Sequence, residues 1–178
     1  MFSLLSHSSL AAIQVAGENL LTKQAVSISR LAPEKKGLVV AFLSAKCPCS
    51  NSHVEELQSL AEKYKDYEFV AIHSNIDEPI EMAKTYFEKA HLPFPILQDS
   101  NSQMADQFKA LKTPHVFLLN PQGETLYQGG VSNSKTFAKA DQKFLRAALE
   151  DLENNRPVKS PVGRTLGCSI SRGEPHAW

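Results

Sequence analysis

The sequence predicts an α/β domain in which helices flank a mixed central sheet. Three observations lead to this class: the chain has the length of one domain, apolar strands alternate with amphipathic helices, and a hairpin pattern follows late. Alternation of strand and helix implies parallel pairing, whereas a hairpin adds antiparallel strands. A mixed sheet covered on both faces accommodates all of these elements.

Apolar runs bounded by turn residues define the predicted strands. Residues 12–29 read as two short strands around a turn at Gly17 to Asn19. The run at residues 37–45 is apolar and rich in β-branched residues, as expected for a buried central strand. Further strands, including the late hairpin, are predicted at residues 68–74, 116–120 and 125–130, and residues 92–99 are expected to be extended because proline restricts the residue before it.

Helical periodicity is found between these strands. Residues 50–67 carry an apolar stripe, and Ser52 and Glu55 near its start have the spacing of a capping box. The last helix, over residues 134–154, is predicted to be the longest. Two more helices are predicted over residues 77–91 and 100–111.

The regular pattern ends near Asn155. The residues beyond it are rich in Pro, Gly, Ser and Arg, and they include the third cysteine, Cys168. We therefore divide the chain into a domain at residues 1–155 and an irregular C-terminal tail at residues 156–178.

Charge and hydropathy restrict the expected partners and location. The chain carries 19 basic and 19 acidic residues, a net charge of zero, which argues against a nucleic-acid partner. No apolar run approaches the ~20 residues that span a bilayer, so no membrane insertion is expected. The N-terminus lacks the features of a secretory signal, which favours the cytoplasm, with the bacterial periplasm as the alternative. We expect a monomer or a weak dimer, and no cofactor.

The segment SAKCPCSNSH, residues 44–53, holds two of the three cysteines. Cys47 follows a buried strand, and α/β sheets place their sites at the carboxyl ends of such strands. It also precedes a helix, whose N-terminus stabilises a thiolate and lowers its pKa from ~8.5. Cys47 is therefore the predicted nucleophile, accessible and within reach of Cys49. The competing interpretation is that both cysteines are small buried hydrophobes.

The segments around these cysteines resemble thioredoxin-fold redoxins. The central strand leads into F-x-x-x-x-C at Phe42 to Cys47, and Thr113-Pro114 precedes a strand, a turn and a strand. A closer likeness is to a bacterial C-P-C-S subgroup of the alkyl hydroperoxide reductase and thiol-specific antioxidant family. Its motifs are present here in order as CPCS, FPILQD, TPHVF and, in the tail, GCSI.

This resemblance implies a thioredoxin-like three-layer sandwich with a redox-active centre and antioxidant activity. Cys47 would act as nucleophile, with Cys49 or Cys168 as the resolving cysteine. The Thr113-Pro114 bond would be cis and would face Cys47. The residues implied in substrate binding are Ser44, Pro48, Thr113, Pro114 and His115.

Two redox functions are compatible with these residues. The first is a thiol–disulfide oxidoreductase acting on protein or small-molecule thiols and disulfides. The second is a peroxiredoxin-like thiol peroxidase acting on peroxides. Peroxiredoxins also carry an arginine before the later strand, whereas this sequence has none between Arg30 and Arg146.

Two further functions would use the fold without redox catalysis. Two thiolates together with His53, His73 or His115 would suit a copper or other metal chaperone. A binding module that kept the fold and lost catalysis is the remaining alternative.

Overall fold

A mixed seven-stranded sheet forms the centre of the molecule in the computed structural model, which describes residues 14–173. The strands are β1 (Val15–Asn19), β2 (Ala25–Ile28), β3 (Gly37–Phe42), β4 (Tyr67–His73), β5 (Ile96–Gln98), β6 (Lys112–Thr113), β7 (His115–Leu119), β8 (Thr125–Gly129) and β9 (Cys168–Ser169). Their order in the main sheet is β2-β1-β5-β4-β3-β7-β8, and β6 pairs with β9 in a separate ladder. The N-terminal segment judged to lack a signal and tail residues 174–178 lie outside the described residues.

Strand β3 occupies the interior of this sheet. It pairs in parallel with β4 and antiparallel with β7, and all six of its residues are buried. Burial on both faces explains why its sequence is a continuous apolar run rather than an alternating one. The predicted buried central strand and the predicted hairpin of β7 and β8 are therefore confirmed.

Helices cover both faces of the sheet. They are α1 (Pro48–Asn51), α2 (Val54–Lys63), α3 (Ile80–Ala90), α4 (Gln103–Gln107) and α5 (Phe144–Glu153). Helices α2, α3 and α5 pack on the face that carries Val39 and Ala41, whereas α4 packs on the face that carries Val40 and Phe42. None of the helices within residues 14–173 has the length and apolarity that a bilayer crossing requires.

The prediction of one long final helix is wrong. Residues 137–139 form a short 3₁₀ turn, and α5 begins only at Phe144, which makes α3 the longest helix of the described chain. Asn133 is the reason, because its backbone N–H donates to the Gln142 carbonyl oxygen and its side-chain oxygen accepts the Gln142 N–H. These contacts hold the backbone out of the helical conformation that local periodicity predicts.

Two local predictions, for the first turn and for the start of α2, are also wrong. The first turn lies at residues 20–24 rather than at Gly17, because the Asn19 side-chain oxygen accepts the N–H groups of Leu21 and Thr22. Ser52 does not cap α2; its hydroxyl donates to the Cys49 carbonyl oxygen and it ends α1 instead. Each difference comes from a polar side chain that bonds backbone groups other than those predicted.

The chain after α5 crosses the sheet edge and returns towards β3. The N–H of Gln128 in β8 donates to the Pro161 carbonyl oxygen, and the N–H of Gly163 donates back to the Gln128 carbonyl oxygen. Further along, β9 pairs with β6, and Ile170 is buried in the core beside α4. Residues 154–173 contain no helix, but their backbone groups form hydrogen bonds with the domain at β8 and at β6.

Candidate redox-active site

Cys47 lies where the sequence places it, between the end of β3 and the start of a helix. It is the N-cap residue of α1, with an extended backbone, and Pro48 follows as the first helical residue. Proline suits that position because its missing N–H is not needed by the first helical turn. The Cys47 carbonyl oxygen accepts the Asn51 N–H at 2.9 Å, which closes the turn.

The tail brings Cys168 directly onto Cys47. In the ladder of β6 and β9, Cys168 is the register partner of Thr113, the residue before the cis peptide bond to Pro114. Cys47 and Cys168 form a disulfide with their Cα atoms 5.9 Å apart. That separation lies in the usual range for disulfides. Of the two pairings that the sequence leaves open, the structure therefore contains Cys47 with Cys168.

Gly167 permits this close approach of the tail. A Cβ atom at this position would lie 1.9 Å from the Thr113 carbonyl oxygen, which is an impossible contact with backbone. Only glycine therefore lets β9 lie against β6 at the register that aligns Cys168 with Cys47.

The prediction that Cys47 is accessible is wrong for the disulfide form. Only 2% of Cys47 is exposed, since Cys168 covers its sulfur atom and Thr113 lies against it. The Thr113 carbonyl oxygen is 3.3 Å from Cys47 Sγ, and the Cys168 N–H donates to the same sulfur at 3.3 Å. Reaction of Cys47 with another molecule therefore requires the segment around Cys168 to move away.

Cys49 completes a cluster of three sulfur atoms. It is a free cysteine, half-buried one residue beyond Pro48, and the three Sγ atoms lie within 4.8 Å of one another. Its thiol is thus within a short movement of either sulfur of the disulfide. The sequence predicts the proximity of Cys47 and Cys49, whereas the position of Cys168 depends on the tail.

A buried carboxylate, Glu78, organises the loop that carries Cys47. Its two oxygens accept hydrogen bonds from the Ser44 hydroxyl, the Ala45 N–H at 2.8 Å, Asn75 Nδ2 at 2.8 Å and His73 Nε2 at 3.0 Å. Burial alone raises the pKa of Glu78, but these four bonds outweigh it and hold the pKa at about 2, against an ordinary 4.5. Glu78 is therefore an anion at neutral pH.

Ser44 connects this carboxylate to Cys47. Its hydroxyl donates to Glu78 and accepts the Cys47 N–H at 3.0 Å, while its own N–H donates to Ser50 Oγ at 3.0 Å. Ser44 is 1% exposed, so its bonds are directed inside the protein rather than towards a substrate. Sequence reasoning misses Glu78, because an acidic residue before Pro79 reads as the beginning of a helix.

The other predicted substrate-binding residues differ in exposure. Pro48 is exposed and His115 is partly exposed, whereas Thr113 and Pro114 are buried beneath the tail. His115 stacks on Phe117, with the ring centroids 4.5 Å apart. Burial lowers the pKa of His115 to about 4, so the ring is neutral at pH 7.

The metal-chaperone alternative would require a histidine close to the thiolates, and the described part of the chain brings none into that cluster. Within residues 14–173, the group of side chains close enough to share one ion consists of the three cysteines alone. His53 lies behind the site, where Nδ1 is 2.7 Å from the Cys49 carbonyl oxygen and Nε2 is 2.8 Å from Ser132 Oγ. His73 bonds Glu78. These imidazoles position the loops around the site.

The sequence matches the Redoxin family over residues 12–144, which is most of the chain and includes β1 to β8. The chain belongs to the Redoxin family. This redoxin has the thioredoxin-like arrangement of a mixed sheet between layers of helices, which confirms the predicted fold class. The match concerns the family as a whole, and the C-P-C-S subgroup stays a prediction.

Relatives of this redoxin include named oxidoreductases and an uncharacterised protein. The thiol-disulfide oxidoreductase ResA of Halalkalibacterium halodurans is 26% identical over 101 residues, 56% of this chain and 57% of that protein. The redoxin thus spans about half the length of the curated relatives it matches. An uncharacterised conserved protein from Geobacillus kaustophilus superposes with a TM-score of 0.80 at 28% identity, over 93% of this chain and 92% of the other.

A third relative shares the fold alone. A secreted disulfide oxidoreductase of Mycobacterium tuberculosis, described as homologous to E. coli DsbE, superposes with a TM-score of 0.54 at 18% identity. The superposition covers 63% of this redoxin and 80% of the mycobacterial chain.

Proposed function

We propose that this redoxin is a thiol–disulfide oxidoreductase that alternates between a Cys47–Cys168 disulfide and the dithiol. The observation that carries the proposal is the disulfide itself, formed between an N-cap cysteine and a tail cysteine 121 residues away. Similarity to proteins named thiol-disulfide oxidoreductases supports the same reaction class. Protein and small-molecule thiols and disulfides are the proposed partners.

The proposed reaction proceeds through two exchanges. The Cys47 thiolate attacks one sulfur of a substrate disulfide, forming a mixed disulfide and releasing the first substrate thiolate. The Cys168 thiolate then attacks Cys47 Sγ, which forms the Cys47–Cys168 disulfide and releases the second substrate thiolate. The substrate gains two electrons, the redoxin loses two, and an external dithiol restores the reduced form by the reverse exchanges.

The tail controls access to Cys47 in this scheme. Cys168 lies opposite Thr113 in a two-residue ladder, on the strand edge that a substrate segment would need to approach. A substrate must therefore displace β9, and return of β9 delivers Cys168 to the mixed disulfide. Cys49, which is half-buried at the same cluster, is the second candidate for the resolving role.

Disulfide reduction by single-cysteine variants tests the proposal. With insulin as substrate and dithiothreitol as donor, Cys47→Ser should reduce the rate to the uncatalysed level. In a separate reaction without dithiothreitol, which would itself cleave a mixed disulfide, reduced Cys168→Ser should accumulate a mixed disulfide between Cys47 and insulin, which mass spectrometry detects. Cys49→Ser is the matched control, because it removes a neighbouring thiol and leaves the observed pair.

Two outcomes would contradict the scheme. Full activity in Cys47→Ser would reject thiol–disulfide exchange at this site. Accumulation of the mixed disulfide in Cys49→Ser but not in Cys168→Ser would transfer the resolving role to Cys49. Turnover of peroxides, cytoplasmic or periplasmic location, and a monomeric or weakly dimeric state stay predictions.

A further inference from the structure

The reduced form contains more thiols than a two-cysteine exchange requires. In the disulfide form, the Sγ atoms of Cys47, Cys49 and Cys168 lie within 4.8 Å of one another, and they come from two distant parts of the chain. Thiol–disulfide exchange needs one nucleophile and one resolving thiol. The third sulfur therefore calls for a separate chemical explanation.

From this geometry we infer that the reduced redoxin binds one copper(I) ion through the thiolates of Cys47, Cys49 and Cys168. Thiolates are soft ligands and select soft cations such as Cu(I). Three sulfurs arranged in a plane about 2.3 Å from one ion lie about 4 Å apart, a spacing estimated from zinc–thiolate bonds. After the disulfide opens, the sulfur atoms therefore need only small movements to reach the ion.

Negative charge on the three thiolates favours a bound cation once the disulfide is reduced. Ionised sulfurs this close together repel one another. A cation held among them removes that repulsion. Binding of the ion therefore stabilises the ionised form of all three thiols together.

The number of ligands favours copper(I) over zinc. Structural zinc sites take four protein ligands in a tetrahedron. In the chain between residues 14 and 173, no histidine or carboxylate joins the three sulfurs as a fourth ligand. Copper(I) is satisfied by three thiolates in a plane, so it matches the donors present.

Metal binding and disulfide formation exclude each other at this site. The Cys47–Cys168 disulfide leaves Cys49 as the one free thiol of the cluster, and a single thiol cannot replace three. By linkage, an ion that binds the dithiol and not the disulfide stabilises the reduced protein. The inference rests on the positions of the sulfurs and not on the proposed exchange reaction.

Anaerobic titration of the reduced full chain with Cu(I) tests the inference. With bicinchoninate as competing chelator, one equivalent of Cu(I) should bind, and X-ray absorption should show three sulfur neighbours at about 2.3 Å. Cys49→Ser and Cys168→Ser should each weaken binding by more than about 100-fold, because even loss of an outer-shell partner costs about 10- to 100-fold. The oxidised protein should bind none.

A matched control separates ligands from neighbours. His115→Ala removes the partly exposed imidazole beside the site and should leave the Cu(I) affinity unchanged. Affinity retained in Cys168→Ser, two sulfur neighbours in the absorption spectrum, or an equal loss in His115→Ala would overturn the inference. Tighter binding of Zn(II), with four ligands, would overturn the choice of copper. Insulin reduction without metal is scored separately, so a failed titration leaves the proposed function standing.

Discussion

Replacement of Glu78 by glutamine tests the buried network beneath Cys47. Glutamine keeps the shape of the side chain but removes the charge and one of the two acceptor oxygens. A pKa of about 2 rather than 4.5 for Glu78 corresponds to about 3 kcal/mol of folding free energy, at about 1.4 kcal/mol for each pH unit. We therefore expect Glu78→Gln to unfold about 3 kcal/mol more easily at pH 7.

The pH dependence of this difference identifies its cause. Because the folded state lowers the pKa of Glu78, the stabilisation is fully present above pH 4.5 and is lost as the pH falls towards 2. Urea unfolding of wild type and Glu78→Gln should give curves about 3 kcal/mol apart at pH 7 that converge below pH 4.5. Asn75→Ala is the matched control, since it removes one neutral donor to the same carboxylate and should cost about 1 kcal/mol.

Two results would refute this reasoning. A difference between wild type and Glu78→Gln that stays constant from pH 7 to pH 2 would mean that shape, and not charge, explains the loss. A difference at pH 7 no larger than that of Asn75→Ala would mean that the carboxylate contributes no more than one ordinary hydrogen bond.

Three other substitutions test separate parts of the structure. Gly167→Ala should displace β9 and slow formation of the Cys47–Cys168 disulfide by at least about tenfold, or 1.4 kcal/mol, in thiol-trapping experiments. Unchanged kinetics would show that the tail tolerates a Cβ atom at this position. The His115 ring should titrate with a pKa near 4 by NMR. The stability of the wild type should therefore fall relative to that of His115→Gln as the pH drops from about 6.5 to 4. A titration midpoint near pH 6.5 would contradict the effect of burial on this ring. Arg146→Met should cost about 3 kcal/mol in urea unfolding, because it leaves the buried Glu56 carboxylate unpaired. The double variant Arg146→Met with Glu56→Leu should recover most of that loss. Equal losses of stability in the single and the double variant would show that the unpaired charge is not the cause.

The central strands were predictable because burial on both faces of the sheet leaves a continuous apolar run in the sequence. The run from Gly37 to Phe42 is apolar throughout, and it forms β3 as expected. The junction that carries Cys47 was predictable for the same reason, since the end of a clear strand and the start of a clear helix define it. Local sequence is sufficient where one element's own residues determine its environment.

Other parts of the site depend on contacts between distant segments. Phe144 begins α5 late because Asn133 binds the residues before it, and no helical periodicity reports that contact. Glu78 is buried because the distant Ser44–Ala45 segment, together with His73 and Asn75, supplies the donors that surround its carboxylate. The position of Cys168 depends on a ladder of two residues with Thr113, which is too short to leave a strand pattern.

The covalent link between Cys47 and Cys168, 121 residues apart in sequence, closes a ring that holds every element from α1 to β9, whereas β1, β2 and β3 lie outside it. In the chain-entropy account, a ring of that size restricts the unfolded chain enough to stabilise the fold by about 5 kcal/mol. Under the proposed exchange reaction, each turnover would therefore take the protein between a durable form and a more fragile one. How long a molecule survives proteolysis would then depend on how much of its time it spends oxidised.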